Sequence, residues 1–300
     1  MSSEKKLTLK RLLIFLVISF LPFYIIIPAM WSYYGEPVFA SEREDIAAAV
    51  YCLGVTGMLI PSIAHLLTRL ITKEGFRNTY LGWSFGKRSG WYLASVWVKL
   101  LESVLITVVV FTVLVKDIPA GDILASDNAN TRTAMLLIQL ASSIILFMPA
   151  FGEEWGWRGY MMPKLTELMG KPAAVIAGGI IWGVWHAPLT VAGHNFGVGY
   201  DGYPWLGIAL MCLMCVGMNA FLTLLTEKTG SIYPAAFCHS VNNNLSSGVL
   251  VSLLGSEAAI EGYSGLSMLS SFMPYIPVIL VTGAVSMVLL MRNRKGAAAR

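Results

Sequence analysis

The stretch LLIFLVISFLPFYIIIPAMW, Leu12–Trp31, decides the fold class: it carries no charge over 20 residues. A helix needs roughly 20 apolar residues to cross a bilayer, so this run predicts a membrane span. Lys5, Lys6, Lys10 and Arg11 precede it, and Val38-Phe39-Ala40 faintly resembles a cleavage site. The run nevertheless exceeds the apolar core of a cleaved signal, about 7–15 residues, and reads as a retained first helix. Seven similar segments follow, and the eight lie near 12–33, 46–68, 91–115, 133–158, 173–192, 205–226, 232–254 and 274–291. The predicted fold is an all-α, polytopic transmembrane helix bundle of about eight spans. Residues 72–90, with Trp83, Phe85, Lys87 and Arg88, read as an interfacial loop rather than a ninth span.

Composition agrees. Hydrophobic residues make up 56% of 300 and charged residues 13%, at a mean hydropathy of +0.67. Soluble domains carry about 45–50% apolar and about 25% charged residues. The pI near 8.8 does not point to nucleic acid, because Lys and Arg stand at helix ends rather than in one patch. With the N-terminus inside, seventeen of these residues fall on the cytoplasmic side. Only Arg43, Lys116 and Arg132 fall outside, with Lys99 within a span. The positive-inside rule then puts both termini in the cytoplasm of a cell-membrane protein. Cys52, Cys212, Cys215 and Cys238 all lie in apolar runs; they read as small apolar fillers, although Cys212 and Cys215 have Cys-x-x-Cys spacing.

Ionisable residues at membrane depth are costly, about 2.5–3.5 kcal/mol each on insertion scales, and mark function by default. Three segments carry them. Glu153 and Glu154 precede Arg158; Glu154 and Arg158, four apart, share a helix face and can pair. Glu153 points about 100° away and stays available as a general base. His186 closes Trp182-Gly183-Val184-Trp185-His186, with Gly179 and Gly183 permitting close helix contact. His239 and Asn243, again four apart, can donate to a developing oxyanion or clasp a neighbouring helix. Helical rise places Glu153 roughly 15 Å, His186 roughly 21 Å and His239 with Asn243 roughly 10–17 Å from the cytoplasmic helix ends. These groups are therefore expected in one layer of the cytoplasmic half of the bilayer. His65 reads as structural, Lys99 and Glu102 as an internal pair, and His194 with Asn195 as loop residues on the wrong side of the membrane.

In this order the three segments resemble the CPBP family, the CAAX proteases and bacteriocin-processing enzymes also called Abi proteins. The family pattern is Glu-Glu-x-x-x-Arg, Phe-x-x-x-His and His-x-x-x-Asn; here Trp182 replaces the Phe. Arg158-Gly159-Tyr160 and Ser231-Ile232-Tyr233-Pro234 also look like the family, and the resemblance covers about residues 133–250. It implies an intramembrane endopeptidase cutting a membrane-proximal peptide bond. Glu153 and His186 would activate water, His239 and Asn243 would form the oxyanion hole, and Glu154 with Arg158 would hold the helix geometry. The family has also been described as metal-dependent, and Glu153, His186 and His239 offer zinc one carboxylate and two imidazoles. The expected division is three N-terminal spans with loops (1–132), the catalytic core (133–254), and a last span with a basic tail (255–300). Expected partners are a peptide or protein substrate at the membrane and the lipid bilayer, with no nucleic acid. The alternative is a non-enzymatic immunity or transport protein that uses the same cluster for binding; no internal repeat of the transporter kind is visible.

Overall fold

The computed structural model describes residues 2–83, 86, 88–115, 129–244 and 257–297, and the described elements are all helical. In chain order they are α1 (Ser3–Tyr34), α2 (Glu44–Gly57), α3 (Ile60–Ile71), α4 (Ser89–Val109), α5 (Ala129–Ile145), α6 (Phe147–Gly156) and α7 (Met162–Met169). Next come α8 (Lys171–Trp185), α9 (Ala187–Val191), α10 (Trp205–Thr229), α11 (Tyr233–Asn244), α12 (Glu257–Ser264), α13 (Met268–Phe272) and α14 (Tyr275–Ala297). Among the described residues, five helical stretches are long and apolar enough to cross a membrane: Ser3–Tyr34, Glu44–Ile71, Ser89–Leu114, Trp205–Thr229 and Met268–Arg292. Leu13, Leu21, Trp97, Leu101 and Ile145 stand exposed on the outer surface. Apolar side chains so placed suit lipid and not water. The chain is a multi-pass membrane protein.

Two of the other three expected spans are interrupted among the described residues, and prolines account for the breaks. Pro149 and Pro188 each remove an N–H that would bond four residues back. The first interrupts the fourth expected span at Leu146, between α5 and α6. The second ends α8 at Trp185, making it a helix of 15 residues, and leaves the Val184 carbonyl to accept from the Tyr24 hydroxyl at 2.8 Å. Pro61 likewise breaks the second span between α2 and α3. The seventh expected span is helical over Tyr233–Asn244, and 245–254 lie outside the described residues. Within 72–90, the residues from 73 to 83 form no helix; Phe85 and Lys87 lie outside the described residues.

Glycine brings the inner helices close. A Cβ on Gly179 would sit 2.4 Å from Val216 Cα, and one on Gly183 would sit 2.5 Å from Cys212 Cα, so α8 and α10 touch backbone to backbone. Gly152 and Gly156 let α6 meet Leu59 and Pro61 at the α2–α3 break in the same way. Helix α11 then packs on α4, α5, α6 and α10, which sets His239 beside the α6 carboxylates.

Polar contacts tie the bundle at both ends. At one end Glu74 takes Lys164 and lies 3.5 Å from Arg11, Thr8 donates to Glu167 at 2.6 Å, and Lys171 meets Glu227 at 2.5 Å. At the other end the Phe39 N–H donates to the Ala192 carbonyl at 2.9 Å. That bond ties the loop after α1 to the loop after α9.

Candidate active site

Glu153 lies on α6, where the helix passes into a π turn over Trp157–Met161. Its side chain is buried, and both hydrogen bonds to it come from indoles on a single carboxylate oxygen. Trp182 Nε1 donates to Oε2 at 2.9 Å and Trp157 Nε1 donates to the same atom at 3.3 Å. Trp157 is one helical turn beyond Glu153, so that contact follows from i,i+4 spacing. Oε1 receives no hydrogen bond among the described residues and remains for another partner.

Glu154 faces away and forms the centre of a buried cluster. Arg158 Nη1 donates to its Oε1 at 2.8 Å, as the spacing predicts, and His239 Nδ1 lies 2.7 Å from the same oxygen. The Arg158 guanidinium also sits 4.2 Å from the centre of the Trp182 ring. Attraction to the ring face offsets part of the cost of burying that cation. Among the described residues, Glu154 Oε2 and Arg158 Nε and Nη2 have no hydrogen-bond partner.

His186 falls at the break between α8 and α9, with Nδ1 2.8 Å from the Trp182 carbonyl. A carbonyl only accepts, so Nδ1 carries the proton and Nε2 is the ring's free lone pair. For His239 the same reasoning makes Nδ1 the donor to Glu154 Oε1, leaving Nε2 as its remaining polar atom. Asn243 is exposed; its Oδ1 accepts from Asn242 at 3.3 Å, and its own amide N–H groups make no hydrogen bond among the described residues. Of the pair for which the sequence allowed a helix clasp, His239 makes one to α6 through Glu154, and its neighbours clasp α11 to α5. Ser240 donates to the Ser143 carbonyl at 2.5 Å, and Asn244 Nδ2 donates to the hydroxyls of Ser142 and Ser143 at 2.6 and 3.0 Å.

One cavity of about 450 Å³ gathers these groups: Glu153, His186, His239 and Asn243 all line it, as does Trp182. Glu154 and Arg158 lie behind its wall and are absent from its lining. The cavity is not confined to a layer near the basic end. Helix α8 starts at Lys171 and carries His186 past its last turn, roughly 22 Å along at 1.5 Å per residue. From there the cavity reaches Phe39, His194 and Asn195, so the two loop residues set aside from the sequence line it after all.

Trp182 links most of this. Through its indole N–H, its ring and its carbonyl it holds Glu153, Arg158 and His186, and its ring centre lies 5.4 Å from that of His239. Read from sequence it was only an aromatic in place of Phe. Elsewhere the expectations hold. Lys99 and Glu102 pair at 2.5 Å, and His65 is buried between the Trp155 carbonyl and Arg69 Nε. Arg69, four residues on, is a partner that the sequence reading had not credited to His65. Among the described residues no three His, Cys, Asp or Glu side chains come together as a metal-binding set. Glu153, His186 and His239 therefore share a cavity without forming the three-ligand group that zinc takes in catalytic sites.

Fold and site define a multi-pass helical membrane protein with a polar cavity walled by apolar helices. Residues 134–245, which carry all six candidate residues, match the family model described as Type II CAAX prenyl endopeptidase Rce1-like. The match supports a CPBP, or CAAX-protease, assignment for this core, and with it peptidase activity on a peptide substrate. No curated protein matches the chain.

Proposed function

We propose that the protein is an intramembrane endopeptidase in which Glu153 is the general base. One observation carries this reading: a buried carboxylate, fixed by two indoles on one oxygen and free on the other, stands in a cavity shared with two imidazoles. In this mechanism a water lies between Glu153 and His186 Nε2. Glu153 takes its proton as the oxygen attacks the substrate carbonyl carbon. The Asn243 amide donates to the oxyanion, and His239, held through Nδ1 against Glu154, donates through Nε2 as the imidazolium, the form in which both ring nitrogens carry a proton. Glu153 then returns the proton to the leaving amine as the C–N bond breaks, so the cycle ends with a new carboxyl group and a free amine. Glu154 and Arg158 position His239 and Trp182 and touch no reacting atom. No step is routed through a metal.

The basic end of the bundle is assigned to the cytoplasm on the positive-inside rule, with both termini on that side. The peptide substrate reaches the cavity from the membrane or its edge. Digestion of a quenched-fluorescence peptide library by the purified protein, with and without a chelator, tests the reading. Cleavage is expected in both conditions, with products carrying new internal carboxyl termini. Failure of the intact protein to cut any member would overturn it.

A further inference from the structure

The cavity has a second polar station that the proposed mechanism does not use. His194 and Asn195 line it beyond Leu189, in the loop after α9, while Met211, Met214 and Tyr275 contribute apolar walls between. His194 is fixed but unspent: its ring stands edge-on to Phe39, with centres 5.1 Å apart, and its backbone N–H donates to the Leu189 carbonyl. Neither the His194 ring nor the Asn195 amide makes a hydrogen bond among the described residues. Asn195 is held at φ +67°, in the left-handed region, which costs a non-glycine residue energy and tends to mark functional loops. The same loop is tied across to the α1–α2 connection through the Phe39–Ala192 bond, so the station is anchored and not a loose tip.

We propose that His194 and Asn195 form a substrate-positioning site that hydrogen-bonds the main chain of the bound peptide and thereby selects which bond reaches Glu153 and His186. This rests on the endopeptidase reading above. Six residues of helical rise from His186 to Ala192 span roughly 9 Å, about the reach of three residues of extended chain. A peptide lying between the two stations exposes unpaired amide groups to apolar walls, where each one left without a partner is costly. Burial pushes the His194 imidazole down to about 4, so the ring is neutral at physiological pH. A neutral ring beside an amide suits a main-chain amide and gives a carboxylate no counter-charge.

The test uses His194→Ala and Asn195→Gly, the glycine keeping the left-handed backbone, with His194→Gln as the conservative variant. A susceptible peptide from the library is compared with copies in which each amide in turn is replaced by an ester. Loss of the station raises KM about tenfold at nearly unchanged kcat and spreads cleavage over neighbouring bonds, and His194→Gln restores the register. One ester position weakens binding to the wild type but not to His194→Ala. Unchanged KM, register and ester response in folded variants would overturn the proposal. Should the wild type cut nothing, the endopeptidase reading fails. Binding of a library peptide that the wild type retains, by fluorescence anisotropy, then decides the station alone: weakening in His194→Ala supports it, and equal affinity or no retained peptide overturns it.

Discussion

Trp182 and Glu154 show how two residues beside a proposed base hold it without doing its chemistry. Trp182→Phe keeps a ring over Arg158 and removes one of the two donors to Glu153. A hydrogen bond to a charged group is worth about 1.5–3 kcal/mol, so kcat is expected to fall roughly 10–100-fold in a folded protein. Peptide turnover beside an unfolding curve checks this, and an unchanged kcat would remove Trp182 from the account. Glu154→Ala leaves Arg158 and His239 buried without their shared acceptor. Breaking a buried pair costs about 3–5 kcal/mol, so thermal unfolding in detergent should drop markedly for this variant and little for Glu153→Gln. The pairing of Glu154 with Arg158 was legible from four-residue spacing, and the availability of Glu153 followed from it. The Trp182 contacts were not legible. An indole joining three partners depends on how α8 meets α6 and α11, and no local spacing encodes that. The Trp157 contact could have been read, since it repeats the spacing that revealed Arg158.

At the scale of elements, breaks and close approaches place the site. Gly183 lies one turn before His186, where α8 and α10 meet backbone to backbone. Gly183→Ala must push α8 away from Cys212, and overpacking of this kind costs about 1–3 kcal/mol. It is expected to lower both the unfolding temperature and kcat, because His186 moves with its helix. Full activity in that variant would show that the α8–α10 contact does not set the position of His186. The glycine pair was visible in the sequence as a close-contact signal; its partner helix was not. Apolar runs marked the long helices well, because length and hydropathy are properties of the segment itself. They overstated the spans that contain Pro149 and Pro188, where hydropathy continues through a backbone break. The same effect misplaced His194 and Asn195. A cavity that starts at the proline break after α8 runs into the following loop, whereas a hydropathy reading assigns that loop wholly to water.

For the whole molecule, the cluster around Glu74 acts as a clasp that ties α1 and α7 to the segment after α3. Burial alone would raise the Glu74 carboxyl, but bonds from Lys164 and Tyr160 and the charges of Lys164 and Arg11 outweigh it and hold the group below its ordinary value. A carboxylate with a depressed folded-state value stabilises the fold above its unfolded value and loses that contribution as pH falls through the folded one. Unfolding temperature should therefore decline below about pH 4.5 in the wild type and decline less in Glu74→Gln, which starts lower at neutral pH. Matching acid profiles for the two proteins would show that the clasp contributes nothing. The central claim concerns the cavity: a carboxylate fixed by two indoles activates the water that cuts a peptide. Its most direct test is turnover of one susceptible peptide by the wild type and by Glu153→Gln, measured in the same detergent with unfolding temperature read in parallel. A fall of about a thousandfold with an unchanged unfolding temperature is the expected result. Turnover within a few-fold of the wild type in the folded variant would contradict it.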